Sequence, residues 1–288
     1  MNTLCITASA KINWRLKIIG RRPDGYHLLC GLMQNISLAD SVYLRESRED
    51  SCYVSRGPAI RQEDNLAYAI WLRLKRELEL PYSLEIEIEK RIPVGGGLAG
   101  GSADAAAVLT GVNELFELGL SREELSVFGL KLGADIPFCL LGGLAKAQGV
   151  GENLTPLPPP PPLPLLLVNP GCSLPTAQVF ARYAQSARQF AAEQAEDAAC
   201  SKLAKSLQEG DIPAILSLLD NDLTVAARKL CPAIAKLEQR LDALGLSALL
   251  CGSGATMFVL PQSASELKAA KSALADLPWM CEVTTENP

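Results

Sequence analysis

The sequence predicts an α+β protein of two domains. Strand-like and helix-like periodicities alternate along the chain, and a proline run interrupts it near the middle. Its 288 residues suffice for two cores when domains commonly hold about 100–150. The boundary is drawn at the proline run, giving an N-terminal domain over 1–155 and a C-terminal domain over 156–288.

Leu4–Ser9, Asn13–Ile19, Leu28–Leu38 and Ser41–Arg45 carry apolar residues at short spacing and are predicted strands, with Pro23-Asp24-Gly25 as a turn. Asn65–Leu80 is helical, with Leu66, Ala69, Ile70 and Leu74 on one face. Leu84 to Glu89 alternates strictly, as a strand with one wet face does. Ser102–Phe116 is a helix with a stripe of Ala105, Val108, Leu109, Val112, Leu115 and Phe116, and Ser121-x-x-Glu124 is a capping box opening the next. Pro156 to Pro164 admits neither helix nor central strand and reads as a stiff connector between domains or, less simply, a docking site for a proline-reading module. Leu165–Val168 is a buried strand, and helices fill much of 176–245. Strand Ala248–Cys251, the Gly252-Ser253-Gly254 loop, strand Met257–Leu260, helix Ser263–Ala275 and strand Met280–Thr284 follow.

Composition narrows the function. No apolar run approaches the roughly 20 residues that cross a bilayer, and Lys11 sits where a secretory signal would be continuously apolar. A cytoplasmic protein without a membrane partner is expected. A net charge of −5 gives no broad attraction to nucleic acid, so any anion site must be a local set of donors. The nine cysteines form no CxxC and share one histidine, so reduced, buried thiols are expected and no metal site is assigned. No residue pattern speaks to oligomeric state.

The densest signal is Pro93-Val94-Gly95-Gly96-Gly97-Leu98-Ala99-Gly100-Gly101-Ser102-Ala103, between a strand and a helix. Glycines let the backbone approach a ligand, and the helix that follows offers unpaired N–H groups and a positive dipole end, which together suit phosphate. Lys90 and Arg91 stand just upstream as possible added charge. A dinucleotide fingerprint, Gly95-x-Gly97-x-x-Gly100, fits poorly because Glu114 and Glu117 fall too early for its acidic partner. A Walker loop is excluded, since no Gly-Lys-Ser/Thr follows. A glycine turn that only packs helix on strand is the remaining alternative.

Pro-x-Gly-Gly-Gly-Leu-x-Gly-Gly-Ser at 93–102 resembles the ATP-binding motif of the galactokinase, homoserine, mevalonate and phosphomevalonate (GHMP) kinase superfamily. Ala8-Ser9-Ala10-Lys11-Ile12-Asn13 and Cys251-Gly252-Ser253-Gly254-Ala255-Thr256 resemble its first and third motifs. Arg22-Pro23-Asp24-Gly25-Tyr26-His27 and Leu132-Gly133-Ala134-Asp135-Ile136-Pro137-Phe138 resemble the branch that acts on a cytidyl diphosphate sugar alcohol. The family more often has glycine at 99 and serine at 103, where this chain has Ala99 and Ala103.

The resemblance implies a ribosomal protein S5 domain 2-like N-terminal domain and a ferredoxin-like C-terminal one. It implies ATP with Mg2+, and phosphorylation of the 2-hydroxyl of 4-diphosphocytidyl-2-C-methylerythritol in non-mevalonate isoprenoid synthesis. Another small alcohol, or a silent nucleotide sensor, are the alternatives; the sensor is disfavoured because Lys11 and Asp135 are both present. In the implied chemistry Asp135 is the general base and Lys11 keeps it ionised and stabilises the transferring group. Read without the resemblance, they are a solvated strand lysine and a loop-capping aspartate. Implied nucleotide contacts are Asn65, Lys90 and 93–103, with Asn65 equally readable as a helix cap. Implied substrate contacts are Asn13, Tyr26 and His27 at the cytosine, Thr176 and Phe180 as a second wall, and Gly252, Ser253 and Gly254 at the diphosphate. The last three also read as a plain hairpin turn.

Overall fold

The Pro23-Asp24-Gly25 turn closes as expected, with Gly25 N donating to Arg22 O and Arg22 N to Tyr26 O. The strands it joins are longer than expected. In the computed structural model, which describes residues 3–186 and 189–286, the four short strands are two: β1 (Leu4–Arg21) and β2 (His27–Ser47). Between Ser9 and Asn13, and between Leu38 and Ser41, no glycine or proline breaks the extended chain, so pairing runs straight through.

The remaining elements follow as β3 (Ser51–Arg56), α1 (Leu66–Glu77), β4 (Ser83–Glu89), α2 (Gly100–Leu115), α3 (Arg122–Leu130) and α4 (Ile136–Leu141). Next come β5 (Leu144–Gly149), β6 (Asn153–Pro156), β7 (Pro164–Asn169), α5 (Thr176–Ala184), α6 (Glu193–Glu209) and α7 (Ile212–Leu218). The chain ends with β8 (Asp220–Asn221), α8 (Thr224–Leu230), α9 (Pro232–Ala243), β9 (Ala248–Leu250), β10 (Met257–Val259), α10 (Ala264–Ala273) and β11 (Trp279–Thr284). Residues 187 and 188, within the stretch expected to be largely helical, lie outside the described residues.

Two compact units emerge, and they interleave in sequence. The first is residues 1–10, 38–94 and 99–142; the second is 11–37, 95–98 and 143–288. The 155/156 boundary drawn from sequence falls inside the second unit.

In the first unit β4 pairs antiparallel with the later half of β2 and parallel with β3. Leu84, Ile86 and Ile88 of β4 are fully buried, as the alternation predicts, and pack with Val42 and Leu44. Helices α1 and α2 bury Ile70, Trp71, Leu74, Val108, Leu109 and Val112 on the same core. Each such side chain contributes about 1.5–3 kcal/mol. The helical face of α1 is rotated slightly from expectation, with Ala67 and Trp71 inside and Leu66 and Ala69 partly exposed. Trp71 is drawn in because its Nε1 donates to Asp50 Oδ1 at 2.7 Å. The Ser121–Glu124 capping box forms with both hydrogen bonds.

In the second unit the early half of β2 pairs with β5, β5 with β6, and β1 with β8. A separate four-stranded antiparallel sheet has the order β11-β7-β10-β9, and helices α5, α8, α9 and α10 place Val179, Ala227, Ile234, Leu237 and Leu267 in its core. The proline run therefore joins β6 to β7 within one unit rather than linking two. Pro156 ends β6, which pairs only with β5, and Pro164 opens β7, two places where a missing N–H costs little.

The cysteines depart from expectation in part. Cys172 and Cys231 are joined as a disulfide. Cys30, Cys52, Cys200 and Cys251 are buried free thiols, whereas Cys5 is exposed. Local sequence shows no CxxC for the joined pair because its members are 59 residues apart. No described helix is long and apolar enough to cross a membrane.

Candidate active site

In the second unit, two glycine loops are fastened to each other. Gly97 has φ +78°, and a Cβ there would lie 2.0 Å from Cys251 O and 2.7 Å from Gly254 N. Only glycine allows that contact. Thr256 N donates to Gly96 O at 3.1 Å, and Leu174 N to Gly95 O at 3.1 Å. The Gly252-Ser253-Gly254 turn is held in addition by Asn221, whose Nδ2 donates to Leu250 O and Gly252 O, each at 2.8 Å.

Lys11 belongs to this assembly. Its N–H donates to Leu98 O at 3.1 Å, and its Nζ donates to Asn13 Oδ1 at 2.7 Å. At 3% exposure it is not a solvated strand lysine. A Cβ on Gly252 would lie 3.4 Å from Lys11 Nζ and 3.5 Å from Asn13 Oδ1, which puts the cation beside the turn. Thr176 Oγ1 and Ser253 Oγ are 3.0 Å apart. Lys11, Asn13, Thr176 and both glycine loops thus converge.

His27 forms a second group. Its ring stacks on Phe180 with centroids 5.4 Å apart and meets Tyr183 edge-on at 5.6 Å. Burial, then the charge of Arg21, holds the imidazole below its ordinary value of 6.5, so it is neutral at physiological pH with one donor and one acceptor. Tyr183 is a partner sequence reasoning missed; it lies three residues past Phe180 on the same helical face. Tyr26, expected to stack here, is 63% exposed at the hairpin, with its N–H turned to Asp24.

In the first unit, α2 begins at Gly100 with Ala99 as N-cap at φ 59°. An alanine in this left-handed region costs about 1–2 kcal/mol where glycine costs nothing. Gly133, two residues before Asp135, lies against the start of α2, since a Cβ on it would come within 3.6 Å of Ser102 Oγ. Asp135 is half-buried at the start of α4 and makes no capping hydrogen bond, so the capping role does not hold. Asn65 does cap α1, with Oδ1 accepting from Ala67 N at 3.0 Å. Its Nδ2 is buried without a partner, which leaves a donor to spare. Val94 is 48% exposed. Lys90 does not stand at the loop mouth; it is buried between Asp40 and Asp104, at 2.5 and 2.6 Å.

Residues 65–143 match the GHMP kinases N terminal domain and residues 203–277 the GHMP kinases C terminal domain. The chain belongs to the GHMP kinases. It is an ATP-using small-molecule phosphotransferase with the two-domain α+β fold of that family. Among relatives of this GHMP kinase is the 4-diphosphocytidyl-2-C-methyl-D-erythritol kinase of Moorella thermoacetica, 40% identical over 260 residues and 90% of each chain. The protein of that name from Gloeobacter violaceus is 38% identical over 97% of this chain and 93% of its own. A crystal structure of 4-(cytidine 5'-diphospho)-2C-methyl-D-erythritol kinase superimposes with a TM-score of 0.80 at 32% identity, covering 99% of this chain and 100% of that one.

Proposed function

We propose that this GHMP kinase transfers the γ-phosphoryl group of ATP to the 2-hydroxyl of 4-diphosphocytidyl-2-C-methyl-D-erythritol. The observation that carries the substrate reading is the neutral His27 between Phe180 and Tyr183. A pyrimidine needs an aromatic face and a rim with both donor and acceptor, and this group offers both.

The nucleotide phosphates bind at the N-terminal turn of α2, over the backbone of Gly100, Gly101, Ser102 and Ala103, where unpaired N–H groups and the helix dipole favour anions. Pro93 and Val94 lead into the same segment, and the spare Nδ2 of Asn65 donates to the nucleotide. Gly252, Ser253 and Gly254 hold the substrate diphosphate, with Thr176 bonded to Ser253. Asn13 orients both Lys11 and the substrate. Asp135 takes the hydroxyl proton, and Lys11 stabilises charge on the transferring group. Mg2+, when bound with ATP, would supply charge neutralisation at the phosphates. ATP use argues for the cytoplasm.

ATP consumption with the cytidyl substrate, beside homoserine and mevalonate, tests the reading. Turnover confined to the cytidyl substrate is expected; turnover on another alcohol would sink the substrate and keep the kinase. The histidine adds a pH signature. Protonation removes its acceptor, so KM for the cytidyl substrate is expected to stay level above pH 6.5 and to rise only below it, since the folded value lies lower than that. A His27→Gln variant should bind more weakly and lose the low-pH rise; an unchanged profile would remove His27 from the base pocket.

A further inference from the structure

Beneath the first turn of α2 lies a buried cluster of charges that phosphoryl transfer itself does not use. Asp40 of β2 is fully engaged: Oδ1 accepts from Arg91 N at 2.5 Å and Ile92 N at 2.9 Å, and Oδ2 accepts from Lys90 Nζ at 2.5 Å. Those bonds fix the chain as it leaves β4 for Pro93. Lys90 Nζ also donates to Asp104 Oδ2 at 2.6 Å. Asp104 stands one helical turn below Gly100 on the same face of α2. A Cβ on Gly100 would meet Ile92 Cγ2 at 2.9 Å and Lys90 Nζ at 3.3 Å, so the helix start rests directly on the ammonium.

Two carboxylates share one cation there, and the three side chains are at most 3% exposed. Asp104 Oδ1 has no hydrogen-bond partner and is fully buried. An oxygen without a donor is a poor place for charge, and a proton on it is the cheaper state. We propose that the Asp40–Lys90–Asp104 cluster positions the N-terminal turn of α2 and that binding of nucleotide phosphate there draws a proton onto Asp104.

Burial pushes the Asp104 carboxyl up; Lys90 opposes this and Asp40 adds to it, leaving it at about 7. Burial works against the Lys90 charge, but Asp104 and Asp40 outweigh it and hold that lysine above its ordinary value. Cys52 of β3, raised to about 12 by burial and by Asp104, stays a thiol. Ile70, Leu125 and Ile136, from α1, α3 and α4 in the same core, are apolar. Asp104 is therefore the member poised to change charge near neutrality. An anion at the helix start disfavours a second negative charge below it, so binding raises the Asp104 value and takes up a proton. Protonated, the cluster is neutral; ionised, it carries one negative charge that weakens the anion site. Lys90 acts as a positioning residue, not a phosphate contact.

This inference rests on the phosphates sitting at α2. Calorimetric titration with ADP and Mg2+ near pH 7.5, in Pipes and in Tris, measures the linked proton. Wild type is expected to take up about a third to half a proton more than Asp104→Asn, and its Kd to weaken about three- to tenfold from pH 6.5 to 8.5 while the variant's change is smaller. Equal proton stoichiometry and parallel Kd profiles would overturn the proposal. Should the variant fail to fold, a wild-type Kd that does not weaken with rising pH would do the same. Gly101→Glu separates the two readings. Gly101 has open space about it, so the carboxylate fits without a clash and should weaken ADP binding at every pH. Unchanged ADP affinity in Gly101→Glu would sink the phosphate placement itself, whatever the proton linkage shows.

Discussion

Asp135→Ala is expected to lower kcat by about 10²–10⁴-fold, the range typical for loss of a general base. KM for ATP should move little, because the carboxylate serves the acceptor hydroxyl and not the nucleotide. Two features motivate the assignment. Asp135 is half-buried rather than solvated, and it follows Gly133, which lies against Ser102 at the start of α2. Asp135→Asn is the sharper variant, since it keeps size and loses basicity. Steady-state turnover with an unfolding curve for each variant checks this. A fall of less than about tenfold in a folded Asp135→Asn protein would leave positioning and Lys11 as the sources of catalysis and remove Asp135 as base.

Gly97→Ala should cost both stability and activity. Its φ of +78° penalises any Cβ by about 1–2 kcal/mol. The new methyl would also meet Cys251 O at 2.0 Å, Gly254 N at 2.7 Å and Gly254 O at 3.0 Å, all backbone atoms that cannot rotate away. Overpacking of this kind costs about 1–3 kcal/mol more. Together these are expected to lower Tm by several degrees. The two glycine loops must part to admit the methyl, and a shift of about 1 Å in positioning groups is worth about 10²-fold in rate. kcat/KM should fall by that order. Gly101→Ala is the control for folding alone, since Gly101 lies at the proposed phosphate site: a Cβ there meets nothing within 4 Å, so near-normal melting is expected. If Gly97→Ala melted like that control and kept its kcat/KM, the close fastening of the loops would be of no functional consequence.

Local signals carried the sequence reading. Strict alternation found β4, Ser121 and Glu124 found the start of α3, and the glycines at 95–97, 100 and 101 marked the passage into α2. Sequence showed the proline run as an interruption but not which elements it joins, because both β6 and β7 belong to one unit. It split β1 and β2 because polar Lys11 and Asp40 sit in mid-strand; Lys11 is buried against Asn13, and the partners of Asp40 lie 50 or more residues away. Lys90 looked like a free cation since its partner Asp40 lies 50 residues away. A signal did exist at Asp104, the single charge in a helix start otherwise built from Gly, Ser and Ala. Tyr183 was within reach too, one turn along from Phe180. The Cys172–Cys231 pair had no local mark at all.

The interleaving of the units bears on how the protein is made. Once residue 142 has left the ribosome, β1 to β4 have their first-unit partners. In the second unit, residues 27–37 of β2 still wait for β5, and Arg15 and Leu16 of β1 wait for β8 at Asp220 and Asn221. The nascent chain thus carries open strand edges while the remainder is translated, and such edges are where chains join wrongly. The four-stranded sheet closes only when β11, the last of the described strands to be translated, pairs with β7. Pauses between residues 142 and 220 would lengthen that exposure, whereas pauses after β8 would leave the smaller sheet and the bonds from residues 284–286 to β2 unfinished.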